Sequence, residues 1–320
     1  MYRIGKEEID EISKVIAAKC MFRVGDPKRG HRQEVIRFEQ EWAKKIGTKY
    51  ALCMNGGGTA ALMCGLFGLG IGAGDEVLVP AYTFMATASA VLAVGAIPVL
   101  TEIDETMTID PADIERKISR RTKAVIPVHM VGLPANMPRI MKIAKKHSLK
   151  VLEDCCQADG GSCKGKRLGR WGHAGAYSFN DFKIMSCGEG GALVTNDKKV
   201  FERAFVLHDS GTAFRPYAGE LSVPIILGMQ FRASEITGAI LRVQLRRLEG
   251  MLKDLRAIKN YFMTKLADMV KFAPSNDQKG DCGVVIVFQF NNETQARQFS
   301  KSEGVNGWMP IDSGKHVYYN

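Results

Sequence analysis

Three features of this sequence could do chemistry together. Lys183 closes the run Ala176-Tyr177-Ser178-Phe179-Asn180-Asp181-Phe182-Lys183 and is soon followed by Gly188-Glu189-Gly190-Gly191. Upstream, the apolar pair Val151-Leu152 leads into Glu153-Asp154. Earlier still stands a glycine turn, Asn55-Gly56-Gly57-Gly58-Thr59. A lysine amine condenses with aldehydes, and a buried carboxylate needs a partner such as a protonated pyridine nitrogen. Glycine amides opening a helix bind phosphate. In this order the three are the protein parts that pyridoxal 5'-phosphate (PLP) requires.

Each feature has a plainer reading when taken alone. The glycine turn could be an ordinary turn with Thr59 as a helix N-cap, and Asp154 could cap the segment that follows it. A lone lysine in a glycine-rich loop is ordinarily solvated. The joint order of the three favours the chemical reading. The turn has no Walker lysine, which counts against a nucleotide triphosphatase. Gly68-Leu69-Gly70-Ile71-Gly72-Ala73-Gly74 contains GxGxxA, but it follows a helical segment and precedes a strand, the reverse of a dinucleotide site. His129 and His208 lack metal-ligand spacing and read as structural residues. Cys155, Cys156 and Cys187 lack an activating base and read as small packing residues, so no metal site is expected.

The elements that must position these residues follow from alternation. Apolar runs at 50–54, 76–79, 97–100, 124–128 and 150–153 predict strands, with helical segments between them at 59–67, 85–94 and 137–147. Such a pattern predicts a mostly parallel sheet covered on both faces by helices, with ligands at the carboxyl ends of the strands. Asn55, Pro80, His129 and Asp154 fall at such ends. Two further strands, 174–179 and 192–195, should flank the Lys183 loop. Apolar periodicity from Glu235 to about Met269 predicts a long helix joining domains, followed by a strand at 283–290 and a helix at 293–302. The expected division is an N-terminal segment (1–35), a large PLP-binding domain (36–235), and a linker helix with a small C-terminal domain (236–320). That last part is short for an independent domain and is expected to be truncated.

Composition narrows the classes. With 46% hydrophobic and 24% charged residues, the chain has the make-up of a water-soluble globular protein. No apolar stretch is long enough to cross a bilayer, and no signal peptide is visible, so no membrane partner is expected. Eight scattered cysteines suit neither a disulfide framework nor a zinc site, which predicts a reducing cytoplasm. The net charge is +10, but the basic pairs, such as Lys44-Lys45 and Arg246-Arg247, are spread over several elements. No aromatic platform is interleaved with them, so no nucleic-acid partner is expected. A positive field would draw in an anionic cofactor and anionic substrates.

From roughly Phe38 to Leu252 the chain resembles the DegT/DnrJ/EryC1/StrS aminotransferases. The likeness is carried by 55–62, Asp75-Glu76-Val77-Leu78-Val79-Pro80-Ala81-Tyr82-Thr83-Phe84, 122–129, Glu153-Asp154-Cys155-Cys156-Gln157-Ala158, Tyr177-Ser178-Phe179, Lys183 and 188–197. The resemblance implies an α/β fold of fold-type I and a PLP-dependent aminotransferase. Such enzymes move an amino group from glutamate or glutamine to a keto-sugar or keto-cyclitol. By the same resemblance Lys183 holds the cofactor covalently, and Asp154 partners the ring nitrogen. Gln157 contacts the ring hydroxyl, Phe84 stacks on the ring, and Gly57, Gly58, Thr59 and Ser178 contact the phosphate. It also implies a homodimer in which Gln230, standing where the family has asparagine, completes the neighbouring subunit's phosphate site. His173 replaces an acid common in the family. The segment Met21-Phe22-Arg23 is similar to the branch that makes 8-amino-octulosonate sugars. Two rivals share the fold. One is a sugar dehydratase, whose branch carries histidine in place of the lysine; the other is a PLP-fold protein that binds ligand without converting it.

Overall fold

The computed structural model describes residues 3–313. Two helices, α1 (Lys6–Ala17) and α2 (Glu34–Ile46), precede the first strand. Strand and helix then alternate through β1 (Tyr50–Met54), α3 (Gly57–Leu69), β2 (Glu76–Pro80), α4 (Ala86–Ala93), β3 (Ile97–Thr101), α5 (Pro111–Lys117), β4 (Thr122–Val125), α6 (Met137–Lys146) and β5 (Lys150–Asp154). A short hairpin of β6 (Ser162–Cys163) and β7 (Lys166–Arg167) leads to β8 (Ala174–Ser178) and β9 (Gly191–Thr195). The chain continues through α7 (Lys198–His208), α8 (Glu235–Leu266), β10 (Lys271–Phe272), β11 (Phe288–Gln289) and α9 (Glu293–Ser300).

The main sheet runs in the order β1-β9-β8-β5-β4-β2-β3. Neighbours from β8 to β3 pair in parallel, while β9 lies antiparallel between β1 and β8. The sheet is therefore mostly parallel, as the alternation predicts. Every residue of β2, β8 and β9 is buried, because helices cover both faces. One face packs Phe38 and Trp42 of α2 with residues of α6 and α8; the other packs Leu62 and Leu66 of α3 with Ala204 of α7. Fold-type I is the architecture observed.

The pairing of α2 and α8 ties distant parts of the chain together. The Glu235 carboxylate, in the first turn of α8, accepts the amides of Glu34 at 2.6 Å and Val35 at 3.2 Å. It thereby caps amide groups that open α2. Arg242, two turns further on, donates to Glu34 at 2.6 Å and to Glu41 at 2.8 Å. Among the described residues no helix is long and apolar enough to cross a membrane.

Three sequence expectations need correction. β4 spans Thr122–Val125, not 124–128, because Pro127 has no amide to continue the ladder; the Ile126 amide still donates to Leu78 O at 2.8 Å. The stretch 283–290 forms only the two-residue β11, paired with β10 and away from the main sheet. It opens at Gly283 with φ +80°, a turn conformation, so a run of apolar residues there does not make a strand. Thr59 is not an N-cap, because α3 already begins at Gly57 with Gly56 in the cap position.

Trp42 is fully buried, edge-on to Tyr177 at 4.9 Å and to Phe179 at 5.5 Å between ring centroids. Its indole Nε1 finds no hydrogen-bond partner among the described residues. We therefore expect Trp42→Ala to lower stability by about 3–5 kcal/mol in denaturant unfolding. Trp42→Phe should lower it much less, since it keeps a ring in place and forfeits no hydrogen bond.

Candidate active site

The carboxyl ends of the parallel strands open onto a cleft enclosing about 580 Å³ of empty space, its mouth included. Its lining includes Gly57, Gly58, Thr59, Phe84, Asp154, Gln157, Ser178 and Lys183, eight of the residues singled out from sequence. They come from five separate stretches of chain, four at or near the end of a strand or the start of a helix and the fifth, Lys183, in the loop between β8 and β9.

One end of the cleft is built by the β1–α3 junction. The Asn55 amide donates to Phe231 O at 2.9 Å, which holds the turn. Gly57 then takes φ +65°, a left-handed conformation that disfavours side chains, and α3 starts. A Cβ on Gly58 would come within 2.5 Å of Cys156 Sγ and 3.0 Å of Ser178 Cβ, so only glycine keeps this space open. The amides of a helix's first turn have no partners within the helix and face the cleft at its positive end. With the Ser178 hydroxyl across from them, they make a set of donors for a phosphate.

The floor is Asp154, the last residue of β5, only 4% exposed. One carboxylate oxygen accepts from Thr87 Oγ1 at 2.8 Å and the other from the Cys156 amide at 3.0 Å. Thr87 in turn lies 2.9 Å from the Thr83 hydroxyl. The capping reading of Asp154 thus holds for one oxygen, on the Cys156 amide, while Thr87 takes the other. A carboxylate can accept about four hydrogen bonds, so capacity remains for a donor in the cleft. Phe84, 50% exposed, stands at the mouth beside Thr87.

Lys183 lies in the loop between β8 and β9. Its amide donates to Asn180 O at 3.1 Å, and the Asn180 side chain accepts the Phe182 amide at 3.1 Å, so the loop is tightly turned. Buried Ile184 and Met185 anchor it just beyond the lysine. Burial pushes the Cys156 thiol well above the ordinary thiol range, with Asp154 adding to the shift and Lys183 opposing it. It is a protonated packing group at neutral pH, as expected from sequence. Burial also pushes Asp159, behind the loop, up to about 8, against the pull of Lys183.

Sequence reasoning missed Thr87, Asn180 and Glu189, which also line the cleft. The spacing of Thr83 and Thr87, one helical turn apart, was the available signal for the hydroxyl pair. Gln230 is not among the residues that line the cleft of its own chain; it is exposed, and its backbone forms an antiparallel bridge with Asp209. His173 accepts the Val151 amide at 3.0 Å, toward the amino end of β5, away from Asp154.

His129, Glu153 and Cys155 bring potential ligand atoms within 4.8 Å of one another. Their hydrogen bonds account for the cluster without an ion. His129 Nδ1 accepts the Ala135 amide at 3.1 Å, so the proton sits on Nε2 and is donated to Glu153 at 3.1 Å. The Glu153 carboxylate also takes the amides of Gly169 and Gly172.

The donor set of the cleft fits PLP: amides and a hydroxyl at one end, a buried carboxylate with room for a further donor at the floor, and an amine at the side. The profile of the DegT/DnrJ/EryC1/StrS aminotransferase family matches residues 3–307. A putative L-glutamine:3-amino-2,3-dideoxy-scyllo-inosose aminotransferase of Micromonospora echinospora is 35% identical over 272 residues, 85% of this chain and 63% of the relative. A UDP-N-acetyl-3-dehydro-alpha-D-glucosamine 3-aminotransferase of Acidithiobacillus ferrooxidans is 45% identical over 216 residues, 66% of this chain and 56% of the relative. An aminotransferase from Psychrobacter cryohalolentis superposes with a TM-score of 0.76 at 34% identity, covering 84% of this chain and 68% of that one. The chain thus spans less than two thirds of the length of these curated relatives. With the match running through nearly all the described residues and the cleft at its centre, the chain belongs to the DegT/DnrJ/EryC1/StrS aminotransferase family.

Proposed function

We propose that this chain holds the cofactor site of a PLP-dependent aminotransferase, moving an amino group from glutamate or glutamine to a keto-sugar or keto-cyclitol. The observation that carries the reading is the convergence of Lys183, Asp154 and the Gly57–Gly58 turn on one cleft. When bound, PLP would supply an electron sink for charge at the reacting carbon and an aldehyde carbon able to carry an amino group.

The chain's own residues would do the rest. Amides of the Gly57–Gly58 turn, Thr59 and Ser178 bind the phosphate, and Phe84 covers the ring face. Asp154, fixed by Thr87 and the Cys156 amide, keeps a proton on the ring nitrogen through charge and hydrogen bonding. Gln157 meets the ring hydroxyl. Lys183 Nζ would hold the cofactor covalently and, when free, would move the proton during transfer, as base and then acid.

The active unit is a homodimer in this proposal. Gln230 lies outside its own cleft, beside Leu227, which is 97% exposed, and so is free to serve a neighbouring copy. The eight unpaired cysteines suit work in the cytoplasm. An octulosonate-type keto-sugar is one acceptor within the class, and the names of the matched relatives fall in the same broad range of sugars and cyclitols. Lys183 speaks against a dehydratase, whose branch carries histidine at that place.

Lys183→Ala should abolish both covalent cofactor attachment, read from visible absorbance, and turnover; retained transamination would refute the assignment. Asp154→Ala should cut turnover on the order of a hundredfold or more, as expected for loss of an oriented charge at a reacting group. A screen of amino donors should find one that bleaches the cofactor's colour, with glutamate or glutamine foremost. Pairing that donor with keto-sugars should yield an amine. A deoxy product would favour the dehydratase, and no bleaching with any donor would favour a non-catalytic binding protein.

A further inference from the structure

We propose that Val131 is a positioning residue: its backbone amide fixes the Gln157 carboxamide so that the nitrogen, not the oxygen, faces the cleft. The inference rests on the proposed function for the identity of the ligand, and on geometry alone for the orientation.

Gln157 Oε1 accepts the Val131 amide at 3.0 Å. Its Nε2 lies 3.5 Å from Met130 Sδ, a weak acceptor that leaves the amide nitrogen's donor capacity largely unspent. Gln157 also lines the cleft with Asp154 and Lys183. A carboxamide has one accepting end and one donating end, and a backbone N–H can only donate. The Val131 amide therefore selects the oxygen and leaves the nitrogen for the cleft. A donor there suits the ring oxygen of PLP, which is an acceptor when ionised.

The conformation that aims this amide is unusual. Val131 takes φ +47° and ψ +33°, a left-handed position rare for a β-branched residue. Strain of this kind persists only where the surroundings enforce it. Here the turn is closed by the Gly132 amide on His129 O at 3.2 Å and the Leu133 amide on Met130 O at 2.9 Å. Ala135 is held on His129 Nδ1, and the Cys282 amide donates to Gly132 O at 3.1 Å. His129 is in turn bound to Glu153, one residue before Asp154. The turn is thus clamped to the same strand end that carries the floor of the site.

Amide hydrogen exchange at Val131 in the cofactor-free protein, paired with PLP titration, tests the proposal. In Gln157→Glu the acceptor oxygen remains but the donor is lost. Val131 should stay protected, while the Kd for PLP rises about tenfold or more, as expected for a lost charge-assisted bond. In Gln157→Leu, and in Gln157→Ala where added bulk is no concern, Val131 should exchange about tenfold faster than in the wild type. Equal exchange in the wild type and both truncations, or an unchanged Kd in Gln157→Glu, overturns the proposal. If the wild-type chain fails to bind PLP, the proposed function falls. The exchange pattern then decides the orientation by itself: loss of protection only in the truncations upholds it, and no difference overturns it.

Discussion

Burying the carboxylate of Asp154 is unfavourable unless its oxygens are partnered, and the structure supplies two donors and leaves space for a third. Thr87 reaches it from α4 and the Cys156 amide from the chain just beyond β5. The incomplete shell faces the cleft. A cation entering there gains the attraction of a fixed charge in surroundings of low polarity, where such attraction is strong. The arrangement of the remaining groups makes sense around that point, with the glycine turn and the amine lining the same cleft.

The parallel sheet makes this convergence possible. β1, β2, β4 and β5 deliver their carboxyl ends to one side, so Asn55, Pro80, His129 and Asp154 gather although they are far apart in sequence. β9, antiparallel between β1 and β8, returns the chain so that the loop carrying Lys183 projects at the same edge. Buried packing beneath, from Trp42 to Tyr177 and Phe179, ties α2 to the strand that leads into that loop. Rigid strand ends and a tightly turned loop hold the groups in place with little dependence on side-chain flexibility.

Much of this was legible in the sequence because it is local. The glycine turn after β1, the acid at the end of β5 and the lysine after β8 announce themselves by their neighbours and their order. What was not legible depends on contacts between distant residues. Thr87 meets Asp154 across 67 positions. The cap that Glu235 places on α2 spans about 200 positions and has no local signature. The direction of β9 depends on which strands flank it, not on its apolar run. The strand expected at 283–290 failed for the opposite reason: an apolar stretch was present, but only the short β10 lay beside it to pair. The left-handed turn at Val131 was invisible too, since valine is a residue that ordinarily avoids it.

The central claim is that Lys183, which lines the same cleft as Asp154, is the residue that bonds to PLP. The most direct measurement is to load the chain with PLP, reduce it with borohydride, digest it and map the pyridoxyl group by mass spectrometry. The account predicts the label on Lys183, with labelling reduced in Asp154→Ala. A label on a different lysine, or a loaded protein that carries none, would contradict it.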